Sequence, residues 1–254
     1  MKAALEPAQT SSVYDRPEWR CAPGGLLRPG GLELTDRAIS ACALPADSRV
    51  WDVGCGLGVT VAHLIRRYGF DAVGVDSSED LLGTAHGRMP WLPLVHAQGD
   101  ALPCATGSLD AVLAECSWSA MAAGAGPETE RSRRSRILAE FRRVLRPRGW
   151  LIISDLYARG AGQVRMAPVG EGCWQTMPTE PEVRAVVANE GFDIELWEDH
   201  SLALREFAAR MILEHGSLES LWGGGGHCAT DRADLMAARP GYFLLIGRNG
   251  GPDV

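Results

Sequence analysis

Short stretches of unbroken apolar residues recur along this chain, and segments with helical spacing separate them. A strand open to water on one face alternates apolar and polar residues. A strand apolar throughout is covered on both faces, the mark of a parallel sheet with helices on each side. "RVWDVG" reads as such a strand, and "VTVAHLIRRYG" as the helix after it, ending at Gly69. "DAVGVD" (71–76), "LVHAQGD" (94–100), "LDAVLAECSW" (109–118) and "GWLIISDLY" predict four further strands. "DIELWEDH" and "YFLLIGRN" (242–249) bring the total to seven. Helices are expected after a cap near Thr35, from a Ser77-x-x-Asp80 signature to about Arg88, over 128–146, over "TEPEVRAVVANEGF" with Pro181 in its first turn, and over "LALREFAARMILEHG". The expected fold is therefore α/β and doubly wound, a seven-stranded, mostly parallel sheet with helices on both faces.

The 254 residues suffice for a substantial core without staples. Residues 1–40 form an N-terminal lid and helix in this reading. Residues 41–254 form the main domain, with loop insertions at about 156–180 and 215–240. The net charge of −7 argues against nucleic acid or an anionic membrane as partner. The arginine-rich run from Arg131 to Arg148 fits the solvent face and last turn of a helix. No apolar run approaches the roughly 18 residues of a membrane span. "MKAALEPAQTSSVYDRPEW" has no long apolar core, so a cytoplasmic protein without a signal peptide is expected. The seven cysteines are scattered without a C-x-x-C pair, which predicts reduced thiols and no structural metal site.

The first expected strand runs into "DVGCGLG", where Gly54, Gly56 and Gly58 precede a helix. Ligands of open α/β sheets bind beyond the carboxyl ends of the strands. Glycine lets the backbone take positive φ and approach a ligand closely, and a helix start offers free N–H groups. A dinucleotide turn of the form G-x-G-x-x-G needs glycine at position 59, which is Val59. A phosphate-binding G-x-x-x-x-G-K-[ST] loop needs a lysine, and Lys2 is the only one in the chain. The pattern is instead acid-x-G-x-G-x-G, from Asp52 to Gly58.

With Asp76 in "VGVDSS", Asp100 in "QGDALP", the strand "GSLDAVLAECS" and the stretch "ILAEFRRVLRPRGWLIISD", the chain resembles the class I S-adenosylmethionine-dependent methyltransferases, and within them the small-molecule, quinone-biosynthesis-like group. The resemblance covers about residues 45–157. Arg148 stands where that family often has a glycine. The resemblance implies S-adenosylmethionine as cofactor and a small-molecule methyl acceptor. It implies that Gly54, Cys55, Gly56 and Gly58 pass under the methionine part, with Asp52 holding the turn and the ammonium. Asp76, with Ser77 beside it, would accept from the ribose hydroxyls. Asp100 and the N–H of Ala101 would read adenine, and Glu115 would reach the ammonium.

The acceptor would lie under segments outside these motifs. "PEWRCAPGGLLRPGG" offers Trp19, Cys21 and Arg28; "VGEGCWQTMP" offers Cys173 and Trp174; the four-glycine stretch offers His227 and Cys228. Aromatic residues there can exclude water. No residue identifies itself as a catalytic base. Four alternatives stay open: thiols holding a soft, arsenite-like metalloid, a nicotinamide-dependent oxidoreductase, an aminopropyl-transfer enzyme, and a cofactor-binding regulator without catalysis.

Overall fold

The computed structural model describes residues 28–123, 127–160, 177–215 and 237–250. Helix α1 (Gly31–Cys42) precedes β1 (Arg49–Val53). Then come α2 (Val59–His63), which continues as a π-helical turn through Tyr68, and β2 (Asp71–Asp76). These are followed by α3 (Glu79–Arg88), β3 (Leu94–His96), β4 (Leu109–Glu115), α4 (Trp118–Ala122) and α5 (Pro127–Val144). The chain closes with β5 (Leu145–Ala158), α6 (Glu180–Asn189), β6 (Phe192–Asp199), α7 (Ser201–His215) and β7 (Pro240–Asn249).

The seven strands form one sheet in the order β3-β2-β1-β4-β5-β7-β6. β7 pairs antiparallel with both β5 and β6, and every other pairing is parallel. The expected doubly wound class is thus the observed one. Sheet order reverses direction at β1, whose neighbours are β2 and β4, so the strand ends there face the crevice of such folds. β4 and β5 carry the core. Val112, Leu113, Ala114, Leu151, Ile152 and Ile153 are all fully buried. On one face Leu34, Ala38, Ile39 and Cys42 of α1 pack at helical spacing with Val61 and Leu64. On the other, Ile137, Leu138 and Phe141 of α5 pack with Val183 and Val187 of α6.

Several boundaries differ from expectation, each for a tertiary reason. Thr35 does not cap α1. That helix starts earlier, after Gly30 in the left-handed region, and Thr35 is buried in its second turn. Ser77 does not cap α3. Ser78 does, its hydroxyl accepting from the Leu81 N–H. β3 stops at His96 and β4 at Glu115; Cys116 turns the chain at φ 57° into α4. β5 begins at Leu145, ahead of "GWLIISDLY", because Leu109 pairs with Leu145 across an irregularity in the ladder. Arg148 holds a φ of 60°, the left-handed conformation that a glycine would adopt without steric cost. Its guanidinium meets Asp193 and Glu195 of β6. Two signals hold as read: Gly69 closes α2 at φ 68°, and Pro181 lies in the first turn of α6, where Glu182 also accepts from the Thr179 N–H.

The passage from α5 into β5 exposes carbonyls at a helix end that is itself buried. Asn249, at the end of β7, supplies their donor: its Nδ2 lies 3.1 Å from the carbonyls of both Leu145 and Arg146 and 3.4 Å from that of Arg142. Asn249→Ala leaves those carbonyls without this donor and is expected to cost about 1–3 kcal/mol. Urea unfolding measures it; an unchanged midpoint contradicts the assignment.

Candidate functional site

The site forms where β1, β2 and β4 end together. The chain leaves β1 through a turn fixed by β2: the carbonyl of Val75 accepts from both Gly54 (2.7 Å) and Cys55 (3.0 Å). The Asp76 carboxylate ties the next step. Its Oδ2 accepts from the Gly56 N–H at 2.8 Å, and its Oδ1 accepts from the Ser78 N–H at 2.9 Å.

All three glycines have positive φ. They differ in what a side chain would meet. A Cβ on Gly54 would lie 2.3 Å from Cβ of Ser117, the residue whose hydroxyl donates to the Val53 carbonyl. One on Gly58 would lie 2.7 Å from Leu92. One on Gly56 would meet nothing within 4 Å. Gly54 and Gly58 therefore serve close packing, and Gly56 presents bare backbone to open space at the strand edge.

Behind the turn lies a buried charged cluster. Arg28, which precedes α1, forms an ion pair with Glu115 at 2.7 Å, both side chains being nearly inaccessible. Arg28 also donates to Thr35 (2.6 Å), Thr60 (3.2 Å) and the Gly31 carbonyl (2.8 Å). The Glu115 oxygens accept from Thr35 and Thr60. A buried ion pair survives desolvation only with such extra partners.

Asp52 stands beside this cluster, 3% exposed, with no hydrogen bond to its carboxyl among the described residues. Burial pushes that carboxyl up to about 8; the charge of Glu115 pushes the same way, Arg28 opposes, and Asp76 adds a little. The Cys55 thiol is raised well above its ordinary range, first by burial and then by Asp52 and Asp76. It fits a small turn residue and not a nucleophile.

The structure brings Asp52, Gly54, Cys55, Gly56, Gly58, Asp76 and Glu115 together around one turn, and gives four other expected site residues partners of their own. Arg28 is no open acceptor-side residue; its guanidinium is spent on Glu115 and two threonines. Ser77 is exposed, and its carbonyl meets a ring nitrogen of His96. Asp100 lies at the surface, 3.5 Å from Arg136 of α5. The Ala101 N–H, expected to meet an adenine nitrogen, donates to the Gln98 carbonyl in a turn. Trp19, Cys21, Cys173, Trp174, His227 and Cys228 lie outside the described residues.

Thr35 and Thr60 were not legible as site residues: a threonine in a helix carries no local mark of a partner on another element. Asp155 was equally silent. It is buried at the end of β5 and accepts from the N–H and hydroxyl of Ser119 and the N–H of Leu156, pinning α4 to the sheet. Among the described residues no group of three metal-ligating side chains occurs, and no helix is long and apolar enough to cross a membrane.

Residues 51–153 match the family model described as a methyltransferase domain. The methyltransferase GfsG of Streptomyces halstedii is 31% identical over 140 residues, which are 53% of this chain and 47% of that protein. The chain spans about half the length of the first curated relatives it matches. The [4+2]-cyclase SpnF has the same fold, with a TM-score of 0.66, 24% identity and coverage of 87% of this chain and 81% of its own. A phosphoethanolamine N-methyltransferase of Haemonchus contortus, solved with S-adenosyl-L-methionine, gives 0.68 at 15% identity over 94% of this chain and 57% of its own. These likenesses in structure establish architecture alone.

Two expectations follow from the site. Alanine at Gly56 meets only the cost of left-handed backbone, about 1–2 kcal/mol; at Gly54 it adds an overpacking cost of about 1–3 kcal/mol. Urea unfolding should therefore rank Gly54→Ala below Gly56→Ala, and equal losses contradict the packing role.

The second concerns Asp52, whose folded value of about 8 stands above its ordinary 3.8. The folded state then keeps a proton that the unfolded chain releases. That stabilisation is complete below the unfolded value and is lost as pH rises through the folded one. Asp52→Asn removes the dependence, so its melting temperature should gain on the wild type between about pH 5 and pH 8. A difference that stays constant with pH contradicts the burial of an unpaired carboxyl.

The chain has the Rossmann-like methyltransferase fold, and its residues 51–153 carry the methyltransferase-domain signature.

Proposed function

We propose that this chain is an S-adenosylmethionine-dependent methyltransferase that acts on a small molecule. The observation that carries the reading is one juxtaposition at one strand edge. Bare backbone at Gly56 opens between a buried, unbonded carboxyl at Asp52 and a carboxylate at the end of the neighbouring strand, Asp76. A cofactor with an ammonium at one end and a ribose diol in its middle needs such a pair of acceptors, and it needs backbone without a Cβ between them.

In this reading Asp52 receives the ammonium, Asp76 the ribose hydroxyls, and the turn from Gly54 to Gly58 underlies the methionine part. Glu115 acts through Arg28 and the two threonines and does not reach the ligand directly. Asp100 remains the proposed adenine acceptor, with Arg136 beside it. When bound, the sulfonium supplies an activated methyl group. The protein's part is to orient the acceptor for in-line displacement, worth about 7–11 kcal/mol, and to keep water out. The acceptor pocket is proposed to draw on Trp19, Cys21, Cys173, Trp174, His227 and Cys228. A quinone precursor is one acceptor class to test.

The match of residues 51–153 to the methyltransferase-domain model and the match to GfsG, itself a methyltransferase, support the reading. The fold alone does not, since SpnF shares it and is a cyclase. A nicotinamide enzyme is disfavoured by Val59, which opens α2 where a dinucleotide turn needs glycine.

Asp76→Ala removes an acceptor of hydrogen bonds and is expected to weaken S-adenosylmethionine binding by about 1.5–3 kcal/mol. Equilibrium binding measures it, with transfer of labelled methyl to candidate acceptors as the companion assay. Unchanged affinity overturns the ribose assignment.

A further inference from the structure

Two carboxyls and one guanidinium are buried together where β1 and β4 end. The guanidinium belongs to Glu115: Arg28 lies 2.7 Å from it, and Thr35 and Thr60 complete the set. The second carboxyl, Asp52, is left with no hydrogen bond among the described residues, although it is 3% exposed. A lone buried carboxylate is costly, and a neutral carboxyl avoids most of that cost. Among the described residues, the ionisable groups facing Asp52 are Glu115 on β4, Arg28 ahead of α1, Asp76 on β2 and Cys55 in the turn. Three of these are acids, and the one cation is already engaged.

We infer that Asp52 is a proton-coupled receptor for a cationic group: it stands as a neutral acid in the free protein and releases its proton when an ammonium docks at the glycine turn. The inference rests on the proposed cofactor reading and adds to it how loading depends on pH. The balance is simple. A carboxyl and a free ammonium become a carboxylate–ammonium pair; one O–H bond is broken, and the proton leaves to the buffer. Arg28 is a positioning residue here. By holding Glu115 it keeps that carboxylate off the ligand and leaves Asp52 as the group that must ionise. The upward push on the Asp52 carboxyl, to about 8, acts in the same direction.

The amine of an amino-acid ligand stays charged below its own ordinary value of about 7.7–8.0. Between about pH 6 and pH 7, release of one proton makes apparent affinity rise about tenfold per pH unit.

The test is calorimetric titration with S-adenosylhomocysteine, which carries the same amino-acid end. It is run at about pH 6.5 in two buffers of different ionisation enthalpy, so that the difference in heat counts protons. The expected result is release of about one proton by the wild type and none by Asp52→Asn, whose side chain has the same shape and no charge. Binding without proton release overturns this inference and leaves the methyltransferase reading standing. Equal release by both proteins also overturns it, because the proton then comes from elsewhere. If the Asn variant binds too weakly to titrate, the wild-type pH series decides: tenfold tightening per unit supports the inference, and flat affinity overturns it. No binding by the wild type at any pH overturns the cofactor reading and this inference with it.

Discussion

One carbonyl organises the candidate site. Val75, buried near the end of β2, accepts from Gly54 and Cys55 at once and so fixes how the chain leaves β1. The turn can fold back this tightly only because Gly54 rests directly on Ser117, where a side chain would collide. Asp76 then secures Gly56, and α2 starts beyond Gly58. The acids at the ends of β1, β2 and β4 are neighbours because these strands are neighbours in the sheet. Placement of the chemistry is thus a consequence of parallel pairing, and the glycines make it reachable.

Around that turn the protein accepts an electrostatic cost. It buries three acids, Asp52, Glu115 and Asp155, near one edge. Glu115 is compensated by Arg28, and Asp155 by Ser119 and backbone N–H groups. Asp52 alone has no such partner among the described residues. Paired acids fix structure: one holds α1 against β4, the other holds α4 against β5. The acid without such a partner is the one that, in the proposal, ionises only when a cationic ligand arrives. The same cluster would therefore contribute both rigidity and affinity, through different carboxyls.

The fold was legible because burial on both faces shows directly in unbroken apolar runs such as "AVLA" and "WLII". The glycine turn and the acids at the ends of β1 and β2 were legible for a related reason: they follow strands whose ends the pattern locates. What was not legible depended on partners distant in sequence. Thr60 and Glu115 meet across 55 residues, Thr35 and Glu115 across 80, and no local signal announces either. Arg28 resembled a loop cation for the same reason. Ser77 and Ser78 are adjacent, and only the entry angle of α3, set by tertiary packing, decides which of them caps it. The turn that engages the Ala101 N–H with the Gln98 carbonyl was likewise not announced by the sequence.

The central claim is that this strand edge selects S-adenosylmethionine. Equilibrium dialysis of labelled S-adenosylmethionine against the full chain, with S-adenosylhomocysteine and NADH as separate competitors, addresses it most directly. The account predicts saturable binding at one site per chain, displaced by S-adenosylhomocysteine and untouched by NADH. Displacement by NADH, or no saturable binding across the pH range in which the protein is folded, would contradict it.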